Sequence, residues 1–196
     1  MGTSVSHRSP KNNVNWRAAI TTYTSEKATV GRTVEEVWKA VKYQQDSSFV
    51  QDLGSPIIVK CLQIALSEIS PEQVSTEVGR AVALSGKSSI AADIAKRAAV
   101  FSSRNPRDRI NYFVQYLFSK ACDYLVSRDL SGYVGSTTHI RNISASIEYK
   151  NNVEHEVKRI VNEYPIPNGL EENVKIWNTY VNAVTLSLAG LAKDGI

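Results

Sequence analysis

NPRDRINYFVQYLFSKACDYLVSRDL, residues 105–130, decides the fold class. Asn105-Pro106 is a helix start, because proline suits the first helical position, where the amide it lacks would have no intrahelical partner anyway. From there Ile110, Phe113, Val114, Leu117, Ala121, Cys122 and Leu125 recur in steps of three and four, which keeps them on one side of a helix. Gly132 stops the pattern. About 25 residues at 1.5 Å per residue make a rod roughly 37 Å long. Such a rod needs other elements to cover its apolar side, and the flanking sequence offers helices for the purpose.

Upstream, Ser89 opens a helix with Ile90, Ile94, Ala98 and Phe101 on one stripe. Before it, Ser70-Pro71 with Gln73 forms a capping box for a helix carrying Val74, Val78, Ala81 and Val82 as far as Gly86. Ser55-Pro56 starts another, whose run Ile57, Ile58, Val59, Cys61, Leu62, Ile64 and Leu66 is apolar nearly all round and is expected to be the most buried. Phe49 to Leu53 reads as a short turn-like piece. Thr33 and Glu36 have capping-box spacing ahead of Val34, Val37, Trp38 and Val41, and Trp16, Ile20 and Tyr23 mark the first helix.

Downstream, Gly132 to Thr138 reads as a loop. Ile143, Ala145, Ile147 and Tyr149 alternate as a strand would, while Ile140, Ile143 and Ile147 fit a helical face; with no partner strand in the sequence, a helix is expected from Asn142. Val153, Val157, Ile160 and Tyr164 continue it to the break at Pro165-Ile166-Pro167-Asn168-Gly169. Val174, Trp177, Val181, Val184, Leu188 and Leu191 then step 3-4-3-4-3, a heptad seam that suits either a core face or a grip on a partner. The expectation is an all-α protein: a single compact bundle of seven to eight helices over residues 14–196, preceded by a flexible basic N-terminal arm, residues 1–13, that is polar and without periodicity.

Charge carries the functional clue. Between Arg80 and Arg109 stand seven Lys and Arg against Asp93 and Asp108, so this block is +5 in a chain of net charge +4. Residues 33–79 are acidic by contrast, with three cations against seven acids. Lys96, Arg97, Arg104, Arg107 and Arg109 flank the junction of two helices, and arginine forks and helix N-termini both suit phosphate. Arg8 and Lys11 add charge on the arm. Together they point to a non-enzymatic protein that binds the nucleic-acid backbone, RNA or DNA, and self-assembles as a coat or nucleoprotein subunit with the acidic segment of one copy against the basic face of the next. The alternative is a helical adaptor or scaffold gripping a partner through the Val174 to Leu191 seam, at a membrane surface if Gly2 is acylated, since Gly2 with Ser6 fits a myristoylation pattern.

Other motifs fail on a named position. Gly86-Lys87-Ser88 ends like a phosphate-binding loop, but the glycine required five residues before Gly86 is Ala81. Ile94 to Ser102 resembles the opening of a helix-turn-helix, yet Ala99 stands at the turn glycine and Pro106 falls where a recognition helix would be running. His7, His139 and His155 are isolated, Cys61 and Cys122 sit on apolar stretches, and no carboxylate cluster is evident, so neither cofactor nor metal is expected. No short apolar run approaches the 18 or so residues of a membrane span and no secretory signal opens the chain, which leaves an intracellular, cytoplasmic protein as the expectation.

Overall fold

A computed structural model of the chain describes residues 14–27, 29–43, 48–86, 89–101, 103 and 105–191. The arm, with Gly2, Arg8 and Lys11, lies outside the described residues, as do Lys87, Ser88 and Arg104. The chain runs α1 (Val14–Thr24), α2 (Val30–Tyr43), α3 (Ser48–Leu53), α4 (Pro56–Leu66), α5 (Pro71–Leu84), α6 (Ile90–Ala99), α7 (Pro106–Leu130), α8 (Ile143–Asn162) and α9 (Val174–Leu188), with 3-10 turns at Ser131–Tyr133 and Thr138–Ile140. No strand occurs among the described residues, and the bundle is all-α as expected. Eight of the segments have ten or more residues, and α3 is the six-residue piece read as turn-like.

Helix α7 is the 25-residue rod. It lies along α8 and is crossed by α6, α4 and α2, so Phe113, Leu117, Phe118, Ala121 and Cys122 are buried at the centre of one contiguous core. The start signals act as their chemistry demands. Asn105 Oδ1 accepts from the Arg107 amide at 2.9 Å, and in the capping box the Gln73 amide donates to Ser70 Oγ at 3.3 Å while the Ser70 amide donates to Gln73 Oε1 at 3.0 Å. Gly86, at φ 62, ends α5 in the left-handed conformation that glycine adopts without strain.

Three expectations change. Helix α2 begins at Val30, four residues early: Thr29 Oγ1 accepts from the Arg32 amide at 3.3 Å, and Thr33 lies inside the helix with its hydroxyl 2.6 Å from Tyr149 OH, both buried. Tyr149 belongs to the buried line of α8, which is Ser146, Tyr149, Val153, Val157 and Val161. The helix is continuous from Ile143, but Ile143 and Ile147, expected on the apolar face, point outward at 72% and 53% exposure. Helix α6 ends at Ala99, so Phe101 leaves its stripe and is 38% exposed.

The hydropathy expectation also needs correcting. Phe49–Leu66, 18 residues with mean hydropathy 1.3, is long and apolar enough to cross a membrane. In the structure Gly54 and Ser55 break it into α3 and α4, of 6 and 11 residues. Each is shorter than the roughly 20 residues a helical span needs.

The Thr33–Tyr149 bond yields a direct test. Tyr149→Phe removes one partner and leaves a fully buried threonine hydroxyl to find another, which costs about 1 to 3 kcal/mol. Urea denaturation should show the midpoint falling with the slope unchanged.

Candidate nucleic-acid interface

Of the cations at the α6–α7 junction, Lys96, Arg97, Arg107 and Arg109 are described, and Arg107 and Arg109 do not share a face. Residues 107 and 109 are two positions apart on a helix that turns about 100° per residue, so their side chains leave α7 on opposite sides. Arg109 points to α4. Its Nη1 donates to Ala65 O at 2.9 Å and to Ser67 O at 3.3 Å, two carbonyls at the C-terminal end of α4 that the helix itself leaves without a donor. A guanidinium held there closes a helix end inside the bundle, so Arg109 is a structural arginine rather than a phosphate ligand.

Arg107, exposed, lies at a separate cleft between α7, the end of α8 and α9. Lys96 and Arg97 occupy the last turn of α6 and are exposed, and their side chains make no hydrogen bond or ion pair among the described residues. Their positive charge also suits the negative end of the α6 dipole.

Three aromatic rings at the same junction form a feature that the apolar periodicity does not reveal. Phe101 stacks on Tyr112 with ring centroids 4.0 Å apart and planes 14° from parallel, and Tyr112 stacks on Tyr116 at 5.5 Å and 30°. The three rings form a ladder along α7, with the partly exposed Phe101 at its end, four residues after Arg97 in the chain. The spacing from Ile90 puts Phe101 on the core stripe of α6, which the end of that helix at Ala99 prevents. The i, i+4 spacing of Tyr112 and Tyr116, off the buried face of α7, is the signal that could have found the ladder.

The acidic segment is locally balanced rather than bare. Lys39 Nζ lies 3.0 Å from Glu36 and 3.7 Å from Glu35, and Arg80 is paired with Glu77 at 3.1 Å. Glu72 lies in the first turn of α5, where its own backbone amide and the Ser70 hydroxyl hold its carboxyl below the usual range.

The α9 seam is core. Trp177, Val181, Val184 and Leu188 are buried among α2, α4 and α8, with Val174 and Leu191 packed at the margin. An adaptor cannot grip a partner through side chains that already fill its own interior. The exposed apolar surface lies elsewhere, in a groove of about 580 Å³ between α4 and α5 floored by Ile57, Ile64 and Ala81, with Leu84 81% exposed at its lip.

Titratable groups inside the bundle have structural surroundings. Burial pushes both the Cys61 and Cys122 thiols up to about 12, so neither carries thiolate at neutral pH. His139 sits against the Tyr149 ring at 5.0 Å, with Nε2 2.7 Å from Tyr23 O, joining the loop before α8 to the end of α1. Among the described residues no group of three or more His, Cys, Asp or Glu could hold a metal ion. No protein-family model, curated protein or solved structure matches this chain. The functional reading therefore rests on the surface itself.

Proposed function

We propose that this chain is a non-enzymatic nucleic-acid-binding protein whose contact surface is the α6–α7 corner. Lys96 and Arg97 supply cations for phosphate, and the Phe101–Tyr112–Tyr116 ladder supplies a flat apolar edge against which a base can stack. What supports this reading is that two exposed cations, Lys96 and Arg97, and a partly exposed stacked ring, Phe101, fall in the same short stretch of chain at the end of α6. Cations alone would suit any acidic partner, whereas cations beside an aromatic face match the chemistry of a single strand, with charge on its backbone and π-faces on its bases.

Self-association is the second part of the proposal, and its support has moved. Glu35, Glu36 and Glu77 are already paired within their own helices, which weakens complementary charge as the glue between copies. Ile143 and Ile147, one turn apart and exposed on α8, are a better patch for a second copy. The adaptor reading would now have to use the α4–α5 groove in place of α9.

Fluorescence anisotropy with a labelled single-stranded oligonucleotide across a salt series tests the interface. Replacing Lys96 and Arg97 together by Ala should lower the slope of log K against log salt by about 1.4 to 1.8, since each phosphate contact contributes about 0.7 to 0.9. Phe101→Ala should weaken binding by about 1 to 3 kcal/mol with the slope unchanged, because stacking releases no counterions. An unaltered slope in the double variant would remove this corner from the binding surface. Light scattering on the same samples reads the assembly, whose size should grow with protein concentration.

A further inference from the structure

Among the described residues three large apolar side chains stand more than half exposed, and they fall in two places: Leu84 at the lip of the α4–α5 groove, and Ile143 with Ile147 on α8. The first place is concave, with Ile57 and Ile64 on its floor from α4 and Ala81 from α5. The second is convex. Ile143 and Ile147 are four residues apart and so project from one side of α8, and Asn142 Oδ1, accepting from the Ala145 amide at 2.8 Å, fixes the turn that carries Ile143. Along the helix axes Ile143 and Ile147 stand about 6 Å apart and Ile57 and Ile64 about 10 Å apart, so a floor two turns long takes a ridge of one. A helix anchored at i and i+4 in an apolar groove is a common mode of recognition. Ridge and groove do not meet within one molecule: α5 packs on α4 and α6, α8 packs on α7 and α2, and both features face solvent.

Charge selects the occupant and its direction. In the groove lining Glu77 and Arg80 neutralise each other at 3.1 Å, which leaves Lys60, exposed between Ile57 and Ile64 on the same face of α4. At the other end of α4, Glu68 is exposed next to Ser67, which also lines the groove. The ridge carries the opposite order, with Arg141 ahead of Ile143 and Glu148 after Ile147, both exposed. None of these four side chains makes an ion pair among the described residues. A copy of α8 laid antiparallel to α4 brings Glu148 toward Lys60 and Arg141 toward Glu68, whereas the parallel direction sets like charges together.

We infer that the α4–α5 groove is the docking site for the first two turns of α8 from a second copy of this chain, antiparallel to α4, with Ile143 and Ile147 seated against Ile57, Ile64 and Leu84. The inference rests on the self-association proposed above and names the two surfaces that make it. Each contact leaves one groove and one ridge unfilled, so copies add head to tail. Two helical turns bury less than a standard interface of about 1,600 Å², so each contact is weak, with Kd on the order of micromolar to millimolar.

Sedimentation of the full chain without nucleic acid, at concentrations up to about 1 mM, reads the contact, with circular dichroism and Tm as controls on folding. The weight-average mass of the wild type should rise with concentration. Leu84→Glu alters the groove, and Ile143→Gln with Ile147→Gln alters the ridge, all at exposed positions; each variant should keep the wild-type Tm and raise Kd about tenfold or more. An equimolar mixture of the two should associate again but stop at a dimer, because one component supplies an intact ridge and the other an intact groove. Lys60→Glu should weaken association about fivefold, and adding Glu148→Lys to the same chain should restore it. A wild type that stays monomeric throughout overturns this inference together with the self-association on which it rests, and leaves nucleic-acid binding at the α6–α7 corner standing. A wild type that associates while the groove and ridge variants associate equally well overturns this inference alone and assigns self-association to another surface. So does a mixture that gains nothing over its separate components, or a charge exchange that fails to restore association.

Discussion

Trp177→Ala should unfold much of the population at temperatures the wild type tolerates, with a loss of about 3 to 5 kcal/mol against a total stability of about 5 to 15 kcal/mol for a domain of this kind. Trp177 is fully buried, its ring is edge-on to Phe113 at 6.3 Å, and its Nε1–H donates to Leu53 O at 2.7 Å. The last bond gives the effect its size. Leu53 closes α3 just before the Gly54-Ser55 break, so the indole joins α9 to the α3–α4 corner as well as filling space. Alanine removes the volume and also leaves that carbonyl without its donor, and in a chain of this length Tm should fall by about 6 to 20 °C. Trp177→Phe separates the two contributions: it keeps most of the packing, loses the hydrogen bond, and should cost about 1 to 3 kcal/mol. A Trp177→Ala variant that kept its native circular dichroism and wild-type Tm would mean that the α9 seam is not core.

That seam shows how far the sequence was legible. A 3-4-3-4-3 step reveals that Val174 to Leu191 share a face, but not whether the covering surface belongs to the same chain, because a core stripe and a partner-binding stripe obey the same period. The helices were legible because their starts are local chemistry: Ser70-Pro71-Gln73 and Asn105-Pro106 need no tertiary information to open a helix. The rotation of α8 was not legible. Ile143 and Ile147 look like core by hydrophobicity, and what they lose to is the packed line Tyr149, Val153, Val157 and Val161, with Tyr149 bonded to Thr33, 116 residues away. The candidate interface was blurred for a related reason. Clustering in sequence drew Arg104, Arg107 and Arg109 into one patch, whereas helical geometry separates 107 from 109, and a partner as distant in sequence as the end of α4 claims Arg109.

Arg109 is therefore the residue on which stability and binding separate. Arg109→Ala should destabilise the fold by about 2 kcal/mol or more, because hydrogen bonds from a charged group are worth about 1.5 to 3 kcal/mol and the carbonyls of Ala65 and Ser67 at the end of α4 lose their donor together with the packing of the arginine stem. The cost is tempered by Arg109 Nε, which is buried without a hydrogen-bond partner, so the native arginine already carries some uncompensated desolvation that alanine relieves. Lysine should rescue little, since one ammonium on a flexible stem does not reproduce a planar fork set between two carbonyls. In nucleic-acid titrations below its lowered Tm, Arg109→Ala should keep the wild-type salt slope, while the Lys96 and Arg97 double variant keeps the wild-type Tm and loses slope. Combining Arg109→Ala with the double variant should give additive effects on both readouts, because the α4 end and the exposed last turn of α6 share no hydrogen-bond partner. A salt slope that falls by about 0.7 to 0.9 in Arg109→Ala with Tm unchanged would place its guanidinium on phosphate and refute the role in closing α4.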